Sequence, residues 1–267
     1  MIKSTFGITH EPFYQNLPAL LPQQLEILDI LQIHAQHGGF SVVLGQPGVG
    51  KSVLREHIES LRARDTLIAS MTQTLHTYLN ILRQLAESLQ LSTPAKELEK
   101  ELIKLTFQHA QANKTLFTLI DETHLLDIDV LRKLRLLFDR FPKKHNLVLL
   151  GQPELMHRLA MTCNDDIKSR ITYSRRLIPL NDNDLIQFIH RELDYVGSSP
   201  DCIDDAALQL ILRNVQGNLR LCRNLCHTSL ITTCRDKQRI VTPRHFNDVL
   251  IQPHWRSHDA LIKQQVK

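Results

Sequence analysis

The chain has 267 residues, 42% of them hydrophobic and 22% charged, the composition of a folded globular protein with room for a sizeable core. Its net charge of +4 is unevenly placed: Leu131–Lys144 holds six basic residues and one acid, +5 in all, so the other 253 residues sum to −1. No apolar run approaches the roughly 18–20 residues of a membrane span, the start MIKSTFGITHEPF lacks a secretory core, and five cysteines, an odd count, argue against a disulfide framework. A cytoplasmic protein with no membrane association is expected.

In chain order, a helical pattern at 22–37 precedes an apolar run at Phe40–Leu44 that predicts a strand. Further strands are expected at Leu67–Met71, Thr115–Ile120, Leu147–Leu150 and Arg176–Leu180. Helical patterns near 51–62, 75–90, 97–111, 125–141 and 153–161 fall between them. This alternation predicts an α/β fold with a parallel five-stranded sheet and helices on both faces. After Leu180 the pattern is helical only. Asn181–Asp184 caps one helix, SSPDCIDDAALQLILRNV contains a second, Leu219–Cys234 a third, and Thr242–Pro243 opens a fourth. The expected organisation is an α/β domain over 1–180, a small helical lid over 181–253 and a basic tail over 254–267. The tail is either a docking peptide for a partner or a frayed end. Cys222 and Cys226 are read as buried core thiols, because no second pair completes a metal site.

Of nine glycines, five lie within Gly38–Gly50 and none lies between Gly50 and Gly151. That concentration demands an unusual backbone. Gly45-Gln46-Pro47-Gly48-Val49-Gly50-Lys51-Ser52 fits GxxxxGK[ST] between a strand and a helix, the context the P-loop requires. Inward N–H groups and a helix N-terminus would bind phosphate over Gly45–Val53. Lys51 would reach the β- and γ-phosphates of ATP, and Ser52 would coordinate Mg2+. Thr115–Glu122 reads as a buried strand ending in two acids, the Walker B pattern. Asp121 would hold Mg2+ through water and Glu122 would act as general base.

With these motifs, FGITHEPF, DETHLL, LVLLGQPEL, IKSRI and GNLRLCRNLC, the sequence resembles the AAA+ ATPases of the ExeA/TnsC-like branch over nearly its whole length. The resemblance implies roles for three further residues. Gln152 matches the polar sensor 1 position beside the γ-phosphate. Arg220, in Gly217-Asn218-Leu219-Arg220, matches sensor 2. Arg170 lies where the family places an arginine finger acting on a neighbour's nucleotide, with Arg175 and Arg176 as competitors. An arginine acting in trans implies a homo-oligomer, ring or filament.

The resemblance leaves two kinds of client open. TnsC-type proteins polymerise on double-stranded DNA with ATP and recruit a transposase. ExeA/GspA proteins serve secretion assembly, and full-length members carry a transmembrane helix and a periplasmic part that this sequence does not contain, so the transposition reading is the main expectation. A third reading is an AAA+ regulator of another client. The basic segment bears on this choice. Leu131, Leu134, Phe138 and Phe141 recur at near-helical spacing and should face the core. Lys133, Arg140 and Lys144 would then form one outward stripe, with Arg132 and Arg135 on another and Lys143 beside them. Such a face would track phosphates without reading bases, or it is an ordinary solvated helix surface.

Overall fold

The computed structural model describes residues 2–13, 19–61, 65–71 and 77–251. In chain order the elements are α1 (Ile2–Phe6), α2 (Pro22–His37), β1 (Gly39–Leu44), α3 (Lys51–Ser60), β2 (Thr66–Met71), α4 (Tyr78–Ser88), α5 (Leu98–Gln111), β3 (Thr115–Ile120), α6 (Ile128–Phe138), β4 (His145–Gly151), α7 (Glu154–Leu159), α8 (Asp165–Lys168), β5 (Tyr173–Arg176), α9 (Asp182–Tyr195), α10 (Asp205–Val215), α11 (Leu219–Arg235) and α12 (Pro243–Ile251). Short 3-10 turns lie at Thr123–Leu125, Thr162–Asn164 and Pro200–Cys202. The expected tail at 254–267 and the outer ends of the patterns at 51–62 and 75–90 lie outside the described residues.

The chain divides into two compact units, Leu17–Ile178 and the combination of 1–16 with 179–267. In the first, all strand pairs are parallel and the order is β2-β3-β4-β1-β5. The period-2 alternation of the strands sorts their side chains onto two faces. Val43, Phe117, Leu119, Val148 and Leu150 meet Ile27, Leu31, Leu54 and Ile58 of α2 and α3. Val42, Leu44, Leu116, Leu147 and Leu149 meet Leu85, Leu102, Leu131 and Leu134 of α4, α5 and α6. Each fully buried side chain of this kind contributes roughly 1.5–3 kcal/mol. The central strands β1, β3 and β4 are buried along their length, as two covered faces require.

Two expected elements differ in the structure, and the short helices α1 and α8 have no counterpart among the predicted ones. The last strand is Tyr173–Arg176, not Arg176–Leu180. It is an edge strand paired only with β1, and three of its four residues are exposed. The apolar run Leu177–Leu180 follows it instead. The helix expected over 125–141 is a 3-10 turn followed by α6, which ends at Phe138. Leu131, Leu134, Phe138 and Phe141 are buried as expected. Arg140 and Lys144, however, lie beyond the helix, so no single helical stripe joins them to Lys133. Pro142 cannot continue a helix, and the chain turns there through Arg140 N–H to Leu137 O and Phe141 N–H to Phe138 O.

In the second unit, residues 2–13 pack with the C-terminal helices, although the sequence reading places them in the first domain. Thr9 N–H donates to Val196 O at 3.1 Å. Arg223 Nε donates to Phe13 O at 2.6 Å, and the buried Phe13 ring lies 6.5 Å from that of Phe188. The FGITHEPF signature is thus a docking segment for the helices. Cys222 and Cys226 are free, fully buried thiols.

Candidate nucleotide site

The loop 45–50 joins β1 to α3. Gly45 N–H donates to Gly151 O at 3.0 Å, and a Cβ on Gly45 would lie 2.6 Å from Val49 Cγ2, so glycine is needed for close approach. Gly50, at φ 103°, caps α3 in a left-handed conformation that a side chain would strain. The curl brings the positive end of the α3 dipole to the loop. Lys51 is buried inside it, with Nζ donating to Gly45 O at 2.6 Å and Gln46 O at 3.2 Å. Ser52 and Val53 follow on the first turn of α3, half-buried, while Gln46 and Pro47 are exposed. Gln24 of α2, a residue the sequence reading missed, is buried and donates from Nε2 to Gly50 O at 3.0 Å. Its Oε1 accepts from Leu21 N–H at 2.8 Å, tying the start of α2 to the loop. One glutamine among the four of α2 gives no periodic signal.

Asp121 follows β3 and is buried. Its Oδ1 accepts Glu122 N–H at 2.8 Å, and its Oδ2 accepts Arg55 at 3.0 Å. Arg55 lies three residues after Ser52, on the same face of α3, so this contact turns the Ser52 side of α3 toward Asp121. A hydroxyl and a carboxylate are hard oxygen donors that suit Mg2+, with the rest of its shell from phosphate and water. Glu122 sits at φ 52° and ψ 31°, left-handed and costly for a residue with a Cβ. Gln152 follows β4 and places its Nε2 2.8 Å from His124 Nε2. The strand ends therefore gather Lys51, Asp121, Glu122 and Gln152 at one edge of the sheet, where ligands bind in such folds.

Arg170 lies at the other edge. It precedes Tyr173, which pairs with Ser41 near the start of β1. The six residues of β1 span about 20 Å, so one chain does not bring Arg170 to its own loop. Arg170 makes a 3.7 Å ion pair with Asp139, whose same oxygen lies 3.3 Å from Arg135 Nε. These residues line a cleft of about 300 Å3 with Lys143, Phe138 and His145. Arg175 and Arg176 lie within β5, and Arg175 pairs with Glu26 at 3.1 Å. Arg220 is exposed on the first turn of α11.

The basic segment is partly neutralised within the fold. Arg132 bonds Asp129 at 2.8 Å, Asp166 at 3.0 Å and Asn164 at 3.1 Å, tying α6 to α8. The Asp166 carboxyl is held below its usual range by that guanidinium. Arg135 is committed to Asp139, Lys144 bonds Asn113, and Arg140 pairs loosely with Glu99 at 3.7 Å. Lys133 lies 6.0 Å over the Tyr78 ring. Lys133, Arg140 and Lys143 are exposed. No helix among the described residues is long and apolar enough to cross a membrane.

Comparison with known proteins bears on the fold. Residues 33–159 match the family model described as an AAA domain. General secretion pathway protein A of Aeromonas hydrophila is 29% identical over 212 residues, which are 76% of this chain and 39% of that protein. The chain thus spans well under half the length of this curated relative. Among solved structures, Cdc6p from Pyrobaculum aerophilum is similar at a TM-score of 0.67 and 19% identity, covering 91% of this chain and 69% of that one. Drosophila ORC bound to DNA gives a TM-score of 0.67 at 18% identity, covering 97% and 67%. The match to the AAA domain model covers just under half of the chain, and the architecture is the P-loop AAA+ fold, a parallel five-stranded sheet with helices on both faces and further helices after it.

Proposed function

We propose that the protein binds ATP with Mg2+ in the Gly45–Val53 loop and hydrolyses it, using the nucleotide to control its assembly with further copies of itself. The observation that carries this reading is the gathering of a buried lysine, two acids and a polar amide at the end of three adjacent parallel strands. Lys51 neutralises the terminal phosphates, and Ser52 and Asp121 hold the ion, which when bound withdraws charge from the β- and γ-oxygens. Glu122 takes the proton of the attacking water, and Gln152 orients the terminal phosphate. Arg170, on the far edge of its own sheet, serves a neighbouring copy, and Arg220 of the helical unit is the candidate sensor 2 arginine. Lys51→Ala is expected to abolish ATP binding and Glu122→Gln to trap bound ATP. Binding unchanged in the first variant, or turnover retained in the second, overturns the assignment.

Two clients follow from two observations. The likeness to general secretion pathway protein A favours a secretion-type assembly partner. The exposed cations Lys133, Arg140 and Lys143, on a fold that is DNA-bound in the Drosophila ORC structure, favour duplex DNA with a transposase as partner. Arg132 and Arg135 give the DNA reading less support, since phosphate would have to displace their carboxylates. The DNA reading predicts ATP-dependent binding that weakens steeply with salt and has little sequence preference. Wild-type affinity in Lys133→Glu/Arg140→Glu would exclude this face, and no ATP-dependent binding at low salt would leave the secretion-type client or regulation of another client.

A further inference from the structure

One ring joins two of the residues assigned above. His124, in the turn after β3, has a side chain only 10% exposed. Its nitrogens face opposite partners: Nε2 lies 2.8 Å from Gln152 Nε2, while Nδ1, which makes no hydrogen bond, lies 3.4 Å from Glu122 Oε2. An amide nitrogen can only donate. With the amide in this orientation His124 Nε2 accepts, and the ring proton lies on Nδ1, on the side of the Glu122 carboxylate. The reverse amide orientation would set the Gln152 oxygen against Nε2, draw the ring proton there, and turn a bare Nδ1 lone pair on the carboxylate. The orientation of one amide at the end of β4 thus decides which side of the ring, N–H or lone pair, the Glu122 carboxylate faces at 3.4 Å.

The backbone beneath this chain of contacts is clamped. Thr123 Oγ1 donates to Leu150 O at 2.9 Å. Arg158 of α7 donates to His124 O at 2.9 Å and Leu126 O at 2.6 Å. The turn is thereby fixed to β4 and α7, and Glu122 itself is held at φ 52°. The freedom that remains is in the three side chains, and the Glu122 carboxylate, 42% exposed, needs an orienting contact.

We propose that His124 is a positioning residue that holds the Gln152 amide and the Glu122 carboxylate in one fixed relation, so that the group meeting the terminal phosphate and the group accepting the water's proton act as a unit. The proposal rests on the hydrolysis reading given above. Steady-state ATP turnover and the affinity for a non-hydrolysable ATP analogue are measured on the full chain for His124→Ala, Gln152→Ala and the double variant. Each single change is expected to lower kcat about tenfold, part of the roughly 10²–10⁴-fold that a positioned base contributes, and His124→Ala, which is assigned no contact with phosphate, is expected to keep KM and analogue affinity within about twofold of wild type. The double variant is expected to be no slower than the slower single one, because residues acting as a unit are not additive. A merely structural role for His124 predicts instead losses that multiply to about a hundredfold. His124→Asn, which keeps a donor near Nδ1 but loses the reach to Gln152, is run beside the alanine variant as the milder change, and the same non-additivity is expected of it. Multiplying losses, or wild-type kcat in both His124 variants, overturn the link. Turnover retained in Glu122→Gln would instead overturn the hydrolysis reading, so the two failures are distinguishable.

Discussion

Arg55 and Asp121 form an ion pair at 3.0 Å, with side chains 16% and 8% exposed. Arg55 also lies 3.4 Å from Glu59, and Glu59 accepts the Ser70 hydroxyl, so one guanidinium neutralises acids from α3 and from the end of β3. Arg55→Met keeps much of the stem but leaves Asp121 buried without its counter-charge. A loss of about 3 kcal/mol is expected, seen as a Tm lowered by roughly 6–12 °C. Mg2+ with ATP should narrow the gap between variant and wild type, because a second cation then faces the carboxylate. Thermal unfolding in EDTA and in Mg2+-ATP checks both parts, and an unchanged Tm in EDTA would sink the first.

The segment Gly217-Asn218-Leu219-Arg220 divides into structural and exposed parts. Gly217 sits at φ +79° with Leu180 O 2.5 Å from where a Cβ would be. Gly217→Ala is therefore expected to cost on the order of 3 kcal/mol. Asn218 caps α11 by accepting Leu221 N–H at 3.0 Å, so Asn218→Ala should cost about 1 kcal/mol. Arg220 is exposed, and Arg220→Ala should change stability by less than about 0.5 kcal/mol. Urea unfolding of the three variants tests this order. A destabilised Arg220→Ala would make the arginine structural.

This division marks how far the sequence could be read. The P-loop and the Asp121–Glu122 pair were legible because phosphate binding needs glycine at fixed spacing and because β3 is an unbroken apolar run. The sheet was legible for the same reason, except at β5. There an edge strand needs only one pairing partner, and polar Tyr173–Arg176 satisfies it better than the apolar run that follows. Residues that act through tertiary contact left no local pattern. Gln24 reaches the loop from a helix that ends before β1, and Asp139 joins Arg135 to Arg170 across two elements. His124 stood within the recognised DETHLL segment, but only the placement of Gln152 gives its ring nitrogens their partners. The segment 2–13 could not be assigned by periodicity either, since its partners lie about 180 residues away, as in the Thr9–Val196 bond (|i−j| = 187).

His145 predicts an acid sensitivity. Burial pushes its imidazole down to about 3, and the ring stacks on Phe138 at 4.9 Å with 4° between planes. Its Nε2 has no hydrogen-bond partner. Between about pH 6.5 and 3 the unfolded chain binds a proton that the folded one does not. Stability therefore falls as pH drops through that window, by up to about 1.4 kcal/mol per pH unit. His145→Phe keeps the aromatic stack and removes the titration. It should lose about 2 kcal/mol less than wild type between pH 7 and pH 5. Urea midpoints at the two pH values check this, and parallel losses in both proteins would refute it.

Arg170 predicts complementation between inactive copies. It lies at the sheet edge opposite its own loop and is held beside Asp139 at 3.7 Å, so any action on nucleotide is on a neighbour's. Arg170→Ala should lower turnover by at least about a hundredfold, in the range typical of a lost arginine finger. Glu122→Gln should be equally inactive while still offering its arginine. In an equimolar mixture, random assembly makes roughly one interface in four productive, with an intact base on one side and an intact arginine on the other. About a quarter of wild-type turnover should then return, at a rate that rises with total protein concentration. Arg175→Ala, which loses only the contact with Glu26, is the control and should keep its activity. No recovery on mixing variants that still bind ATP, or full activity in Arg170→Ala alone, would remove Arg170 from the neighbour's site and pass the role to Arg175 or Arg176.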